Sequence, residues 1–411
     1  MKWNAQQERA LDAAGNWLRD GEGPFRLFGY AGTGKTTLAK HLAAGVEGQV
    51  LYAAYTGKAA DVMRSAGCDG ATTLHSLLYK PREKGRARLK ELERLKEGIE
   101  QRIKAAELNK GGGSHGLDQA LKNAIRMIED EKNNVKSPAF TLNPDSPIQH
   151  ASLLVVDEVS MIPESMGDDI LSFGTPVLCL GDPGQLPPVK GRGYFTQSEP
   201  DFMLTEIMRQ AKDNPIIDLA TRIRTGRTIP KGSYGESQVI AAADFDPKGM
   251  NHDAQLLVGT NKRRRRANLF VRGQRHDLSG DPVLIEGDRL VCLRNDHEAG
   301  LLNGAIYNVA RAGEHDTEME TVAAGLDKEG SDESVWTVMH TAHLLGQELE
   351  YYSRMDAHEF DYGYALTVHK SQGSQWDEVV LMDESRTFKN AGRQWLYTGV
   401  TRAAKKITIV V

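Results

Sequence analysis

The chain has 411 residues, with 51 Lys and Arg against 56 Asp and Glu and a formal net charge of −5, which excludes nucleic-acid binding through bulk positive charge and leaves only a local basic track for such a partner. No apolar run approaches the ~20 residues of a membrane helix, and Met1-Lys2-Trp3-Asn4 lacks the apolar stretch of a signal peptide, so a cytoplasmic protein with no membrane partner is expected. Cys68, Cys179 and Cys292 have neither zinc-site spacing nor an even number for a disulfide framework, and are expected to be reduced and mostly buried.

In chain order, residues 25–28 are an apolar strand candidate, and a helix candidate starts near Thr36. Between them lies Gly29-Tyr30-Ala31-Gly32-Thr33-Gly34-Lys35-Thr36, the pattern G-x-x-x-x-G-K-[ST] in the strand–loop–helix setting its chemistry requires. The glycines Gly29, Gly32 and Gly34 let backbone N–H groups turn inward around a β-phosphate, Lys35 reaches the β/γ oxygens, and the Thr36 hydroxyl is a natural Mg²⁺ ligand. Thr33 and Thr37 complete the nucleotide-binding candidates. An ordinary glycine turn accounts for the glycines but not for Lys35-Thr36 at this offset.

Residues 49–54 read as a strand and 58–66 as a helix. From about 81 to 147 the texture changes to a charged helix with Leu89, Leu92, Leu95, Ile99 and Ile103 at three- and four-residue steps. Gly111-Gly112-Gly113-Ser114, another helix and a Pro/Asn-rich return follow, so this stretch is an insertion. The apolar run 153–156 is expected of a strand covered on both faces, and 177–180 repeats it. Asp157-Glu158 then falls at a strand's carboxyl end, where such an Asp holds Mg²⁺ and such a Glu polarises the attacking water. Gln185, in the loop 181–189, would sit at the same edge, able to hydrogen-bond a γ-phosphate.

Residues 214–224 read as helix, 256–258 as strand and 263–271 as helix; 285–360 has short strands with turn residues, a small β-rich insertion. The α/β pattern returns at 364–368, 379–381 and 407–411, so two nucleotide-fold units, each with an insertion, are the simplest parse. The basic candidates are residues 80–110 and Lys262-Arg263-Arg264-Arg265-Arg266; on charge alone each reads first as a solvated helical face.

These elements, in this order, resemble a superfamily 1 DNA helicase of the RecD/Dda type in its compact phage-like form. The resemblance rests on Asn4 with Gln7, the glycine loop, Tyr55-Thr56-Gly57-Lys58-Ala59-Ala60, Thr72-Thr73-Leu74-His75-Ser76-Leu77, Asp157-Glu158-Val159-Ser160-Met161 and residues 181–189. It continues through Met208-Arg209-Gln210, Thr260-Asn261-Lys262-Arg263, residues 366–374 around His369-Lys370-Ser371-Gln372-Gly373, and Leu396-Tyr397-Thr398-Gly399-Val400-Thr401-Arg402-Ala403.

The resemblance implies an α/β fold of two RecA-like P-loop domains with parallel sheets, a mainly helical insertion in the first and an SH3-like β-barrel insertion in the second. Its boundaries would be 1–79 with 148–205, the insertion 80–147, 206–284 with 361–411, and the barrel 285–360. One ATP would be shared between the domains, with Gln7 reading adenine, Lys35, Asp157, Glu158 and Gln185 on the phosphates, and Arg209 and Arg402 as arginine fingers. Mg²⁺ would be the only metal. Single-stranded DNA contacts fall to Thr56, Lys58, His75, Thr260, Asn261, Thr367, His369 and Ser371.

Partners implied are single-stranded DNA and a fork duplex, with a single-strand-binding or replisome protein also allowed, for a monomer acting in replication, recombination or repair. The Gln185-Leu186-Pro187-Pro188-Val189 and His369-Lys370-Ser371-Gln372-Gly373 segments belong to the branch that moves 5′→3′. The insertion stands where that branch carries its strand-separating element, and the end of the chain soon after Ala403 leaves no room for an appended nuclease or zinc module. A GTPase fits worse, since Asn261-Lys262-Arg263-Arg264 has Arg where guanine needs Asp. A translocase that displaces proteins but unwinds weakly, and a loading subunit that does not turn over, remain alternatives.

Overall fold

A computed structural model describes residues 3–20, 23–81, 86–108, 120–128, 140–188, 193–208, 214–276, 278, 283–296, 299–347 and 357–411. They form two units, Met1–Leu74 with Ile148–Val411, and His75–Pro147.

The first unit opens with helix α1 (Ala5–Asp20), which the sequence reading did not assign. Its signal is a reciprocal cap: the Asn4 side chain accepts the Gln7 N–H at 2.7 Å and Gln7 Oε1 accepts the Asn4 N–H at 3.1 Å. Buried Gln7, Ala10 and Ala14 then repeat at helical spacing. Strand β1 (Phe25–Gly29), helix α2 (Lys35–Ala43), strand β2 (Val50–Ala54), helix α3 (Gly57–Ser65) and strand β3 (Thr72–Thr73) follow.

Helix α4 (Leu74–Leu78) leads into the second unit, where strand β4 (Tyr79–Pro81), helix α5 (Arg86–Leu108), helical residues 120–128 (α6) and strand β5 (Phe140–Leu142) lie, β4 pairing antiparallel with β5. The expected apolar stripe of α5 is narrower than three- and four-residue steps suggested: Leu92 and Ile99 are buried, whereas Leu95 is 52% exposed. Gly111 to Ser114 lie outside the described residues.

The chain returns through β6 (Leu153–Asp157), α7 (Glu164–Leu171), β7 (Val177–Gly181) and β8 (Phe202–Leu204). The first sheet is six-stranded in the order β3-β2-β6-β7-β1-β8, with every pairing parallel. Its central strands β6 and β7 are apolar and buried throughout residues 153–156 and 177–180, as strands covered on both faces must be. The order also sets β6, β7 and β1 side by side, so three loops leave adjacent carboxyl ends.

Helix α8 (Pro215–Arg224), strands β9 (Gly232–Tyr234), β10 (Ser237–Ile240) and β11 (Gln255–Val258), and helix α9 (Asn261–Arg275) start the second sheet. After strands β12 (Arg289–Cys292), β13 (Ile306–Asp316), β14 (Thr321–Lys328), β15 (Ser334–His340) and β16 (Phe360–Tyr362), it is completed by β17 (Ala365–Thr367), β18 (Trp376–Met382), α10 (Gly392–Val400) and β19 (Ala403–Val410). Its order is β17-β11-β18-β19-β10-β9, parallel except for the edge strand β9.

The β-rich insertion is an antiparallel sheet, β15-β14-β13-β12-β16, and His358 just before β16 bridges Met339 of β15, joining the two edges. Two register shifts in β13 supply the coiling this needs. It shares one apolar cluster with the second sheet: Val258, Val271 and Val380 pack with Leu290, Tyr307, Met339 and Phe360. The seam is pinned by Arg272, whose guanidinium donates to Asp288 at 2.7 and 2.9 Å while the Tyr364 hydroxyl donates to the same carboxylate at 2.8 Å. Both partners are buried. Asp288→Ala strands a buried guanidinium and is expected to cost about 3–5 kcal/mol, read as a lower urea midpoint at unchanged slope. All three cysteines are free and buried, as expected.

Candidate active site

Three loops meet at the carboxyl edge of the first sheet. The glycine loop after β1 uses Gly34 at φ 83° as the N-cap of α2, a left-handed conformation that side chains resist. Lys35 Nζ donates to the carbonyls of Gly29 at 2.7 Å and Tyr30 at 3.3 Å, so the ammonium is folded into its own loop. Thr36 Oγ1 donates to Asp157 Oδ2 at 3.1 Å.

Burial, then the neighbouring Glu158 charge, push the Asp157 carboxyl up to about 6, against the opposing pull of Lys35 and the bonds from the Glu158 N–H and Thr36. Two hard oxygen donors converge there, and a divalent cation would offset the penalty, so the pair fits Mg²⁺. Glu158 has φ 54° and ψ 41°, one of three described non-glycine residues at positive φ. Left-handed backbone at a Glu is strain that the surrounding structure must hold; the strand–loop pattern gave no sign of it.

From β7, Asp182 Oδ1 accepts the Gly184 N–H at 2.9 Å and its carbonyl accepts the Gln185 N–H at 3.1 Å, closing a turn that carries Gln185. Gln185 is buried and its Oε1 has no hydrogen-bond partner, an acceptor left over for a ligand or water. Opposite, Arg402 follows α10 of the second sheet. Its guanidinium donates to Thr398 O at 3.1 Å, Ser374 O at 3.2 Å and Thr401 Oγ1 at 3.2 Å, and stands 3.8 Å from Glu158 Oε1. Arg209 lies outside the described residues.

Gln7 departs from a free base-reading amide. It is buried, with Nε2 donating to Thr33 O at 3.2 Å and Oε1 spent on the helix cap, so here it braces the phosphate loop. Thr37 is a half-buried residue of α2.

The strand-contact candidates sort by geometry. Thr56 and Thr260 occupy equivalent places in the two sheets: each follows a strand, has extended backbone, and caps a helix by accepting the third N–H, Ala59 at 3.2 Å or Arg263 at 3.3 Å. Each hydroxyl hydrogen is still free to donate to a phosphate oxygen, beside the helix N–H groups. Lys58 and Asn261 lie in the first turns of these helices. Gly373, at φ 75°, passes so close to Thr56 that a Cβ there would lie 2.8 Å from its Oγ1, which brings the 367–373 loop to this edge.

His369 is half buried against the Phe388 ring at 5.4 Å, and burial lowers its imidazole below the usual range. Thr367 is buried and accepts the Lys370 N–H at 3.3 Å. Ser371 is a correction: it is fully buried and donates to Val368 O at 2.8 Å, so it holds the loop and presents no hydroxyl to a strand. His75 lies in the second unit, packed against the Tyr79 and Phe140 rings. The basic run 262–266 is also not one face, because Arg264 is buried on Asp361 at 2.5 Å and Arg263 pairs with Glu384 at 3.1 Å.

Residues 2–244 match the family model described as "AAA domain", and residues 362–410 that of a UvrD-like helicase C-terminal domain. The ATP-dependent RecD2 DNA helicase of Deinococcus radiodurans is 28% identical over 284 residues, 61% of this chain and 35% of that protein. The RecBCD enzyme subunit RecD of Mycobacterium tuberculosis is 47% identical over 47 residues, 11% of this chain and 8% of that one. The chain thus spans about a third or less of these relatives.

Among solved structures, Pif1 helicase from Bacteroides in complex with ADP-AlF3 and single-stranded DNA superposes with a TM-score of 0.54 at 17% identity, covering 99% of this chain and 92% of that one. Pif1 from Candida albicans gives 0.52 at 17% identity over 100% and 94%. These share the two-domain fold. With residues 2–244, more than half of its length, matched by the family model, the chain belongs to the AAA domain family.

Proposed function

We propose that the chain is an ATP-dependent DNA helicase that moves 5′→3′ on single-stranded DNA and unwinds duplex in replication, recombination or repair. The observation that carries this reading is the meeting of Glu158, from the first sheet, with Arg402, from the second, at 3.8 Å. Hydrolysis at the phosphate loop and movement of one sheet against the other then become one event. Gln185 and Lys35 hold the terminal phosphate, Glu158 takes the proton of the attacking water, and Arg402, with Arg209 by resemblance, stabilises charge on the transferring phosphoryl group. Thr36 and Asp157 would hold magnesium arriving with ATP, which when bound supplies Lewis-acid stabilisation of the phosphate oxygens.

The twin capping threonines, Thr56 and Thr260, give each domain one grip on the strand, as a stepping motor needs. The domain assignment proposed is 1–79 with 148–205 and 206–284 with 361–411, carrying a strand-separating insertion at 80–147 and an SH3-like barrel at 285–360. Direction rests on likeness to the RecD/Dda branch, because it depends on which domain grips more tightly in each nucleotide state.

Strand displacement from 5′-tailed, 3′-tailed and blunt duplexes tests the proposal. Unwinding is expected from the 5′ tail alone, and apparent strand affinity should fall with salt at a log–log slope of about −0.7 per contacted phosphate. Preferential unwinding from the 3′ tail overturns the direction, and DNA-stimulated hydrolysis without unwinding leaves a translocase.

A further inference from the structure

Tyr397 belongs to α10 and is buried in the core of the second sheet, packed among Leu366, Val368, Trp395 and Val400. Its hydroxyl leaves that core and crosses to the first sheet. There it accepts the backbone N–H of Ala31, inside the phosphate loop, at 3.1 Å. It also donates to Asp182 Oδ2 at 2.7 Å, at the start of the loop that carries Gln185. The one proton of the phenol is therefore committed to Asp182 and its acceptor side to Ala31.

Neighbouring contacts run the same way. Arg224, at the end of α8, lies with its guanidinium 3.5 Å from the centre of the Tyr30 ring, so two consecutive phosphate-loop residues are held from the second sheet. Leu186 is clamped too: its N–H donates to Thr398 Oγ1 at 2.9 Å and its carbonyl accepts Gln372 Nε2 at 2.8 Å. Burial raises the Tyr397 phenol well above its ordinary range, which keeps the donating proton in place.

Resting on the motor reading above, we propose that Tyr397 is a positioning residue that couples occupancy of the phosphate loop to the strand-binding state of the second domain. A triphosphate entering the loop must act on the Ala31 N–H or on the turn that carries it. Among the described residues, the one side chain bonded to that N–H is also bonded to Asp182, at the start of the loop that carries Gln185, and is rooted in α10, which Arg402 follows two residues on. A shift at one end therefore has a different bond energy in each state at the other, which is what coupling requires, and the coupling must act in both directions.

The test measures affinity for fluorescein-labelled oligodeoxythymidylate without nucleotide and with magnesium AMP-PNP, for the whole chain and for Tyr397→Phe, alongside KM and kcat for ATP and thermal melting. Phe keeps the ring in its core and removes only the hydroxyl. In the unaltered protein the two DNA affinities should differ roughly 5- to 150-fold. In Tyr397→Phe the ratio should fall toward one, and DNA-stimulated kcat should drop about tenfold, the rate equivalent of one hydrogen bond. KM for ATP should stay within about threefold, since ground-state binding is not what the hydroxyl supplies.

Asp182→Asn, which weakens the same bond from its other end, should share the loss of coupling. A ratio unchanged in both variants overturns the positioning role while DNA-stimulated hydrolysis by the unaltered protein keeps the motor reading. An unaltered protein that neither hydrolyses ATP nor changes DNA affinity with nucleotide overturns both.

Discussion

Glu158→Gln is expected to keep nucleotide binding and to lose single-strand-stimulated ATP turnover by roughly 10²–10⁴-fold, the usual worth of a group that takes or positions a proton. The substitution preserves shape, so what is lost is the carboxylate. The left-handed backbone at Glu158 is fixed by its N–H bond to Asp157 Oδ1 at 2.7 Å, which Gln retains, so the side chain should hold its place. Arg402 keeps three hydrogen-bond acceptors apart from Glu158, so the cross-domain contact loosens without collapsing. Single-turnover hydrolysis with saturating oligonucleotide reads the loss directly. A near-normal rate removes Glu158 from the role and shifts attention to a water held by Gln185.

The parts of this site legible in the sequence are those where one short segment carries both the fold signal and the chemistry. The run before Gly29 reads as a strand and the fully apolar run before Asp157 as one covered on both faces, and the parallel order β6-β7-β1 then sets the three phosphate-side loops side by side. What stayed hidden depends on partners far apart in the chain. Tyr397 stands in a recognisable segment, but the N–H it accepts is 366 residues away. Ser371 belongs to a strand-contacting motif by resemblance, but a local turn back to Val368, which the motif does not spell out, buries its hydroxyl. Arg264 looked like one fifth of a basic patch until Asp361, 97 residues on, claimed it. Gln7 was legible as a functional glutamine, yet its amide is committed to Asn4 and Thr33 in a capping arrangement that the first residues could have announced.

Arg402→Ala should lower DNA-stimulated kcat by about 10³-fold or more, the range in which arginine fingers act, with a far smaller change in nucleotide affinity. The asymmetry follows from chemistry: the guanidinium meets charge that grows only as the phosphoryl group transfers, so its contribution is small in the bound ground state and large at the barrier. Arg402→Lys separates charge from geometry. Lysine keeps the charge but loses the fork that here spans Ser374, Thr398 and Glu158, so it should recover little of the rate. Arg402 is also buried, and its removal takes a donor from the Ser374 carbonyl, at about 1–3 kcal/mol for an unsatisfied group, whereas the Thr398 carbonyl still accepts Thr401 Oγ1 at 3.0 Å. Melting and nucleotide binding must therefore be measured on the same preparations: a folded variant that binds nucleotide but turns over slowly fits a finger, whereas parallel loss of all three fits a structural arginine. Arg227, exposed on the turn after α8, supplies the control, and an equal loss of kcat in Arg227→Ala would sink the assignment.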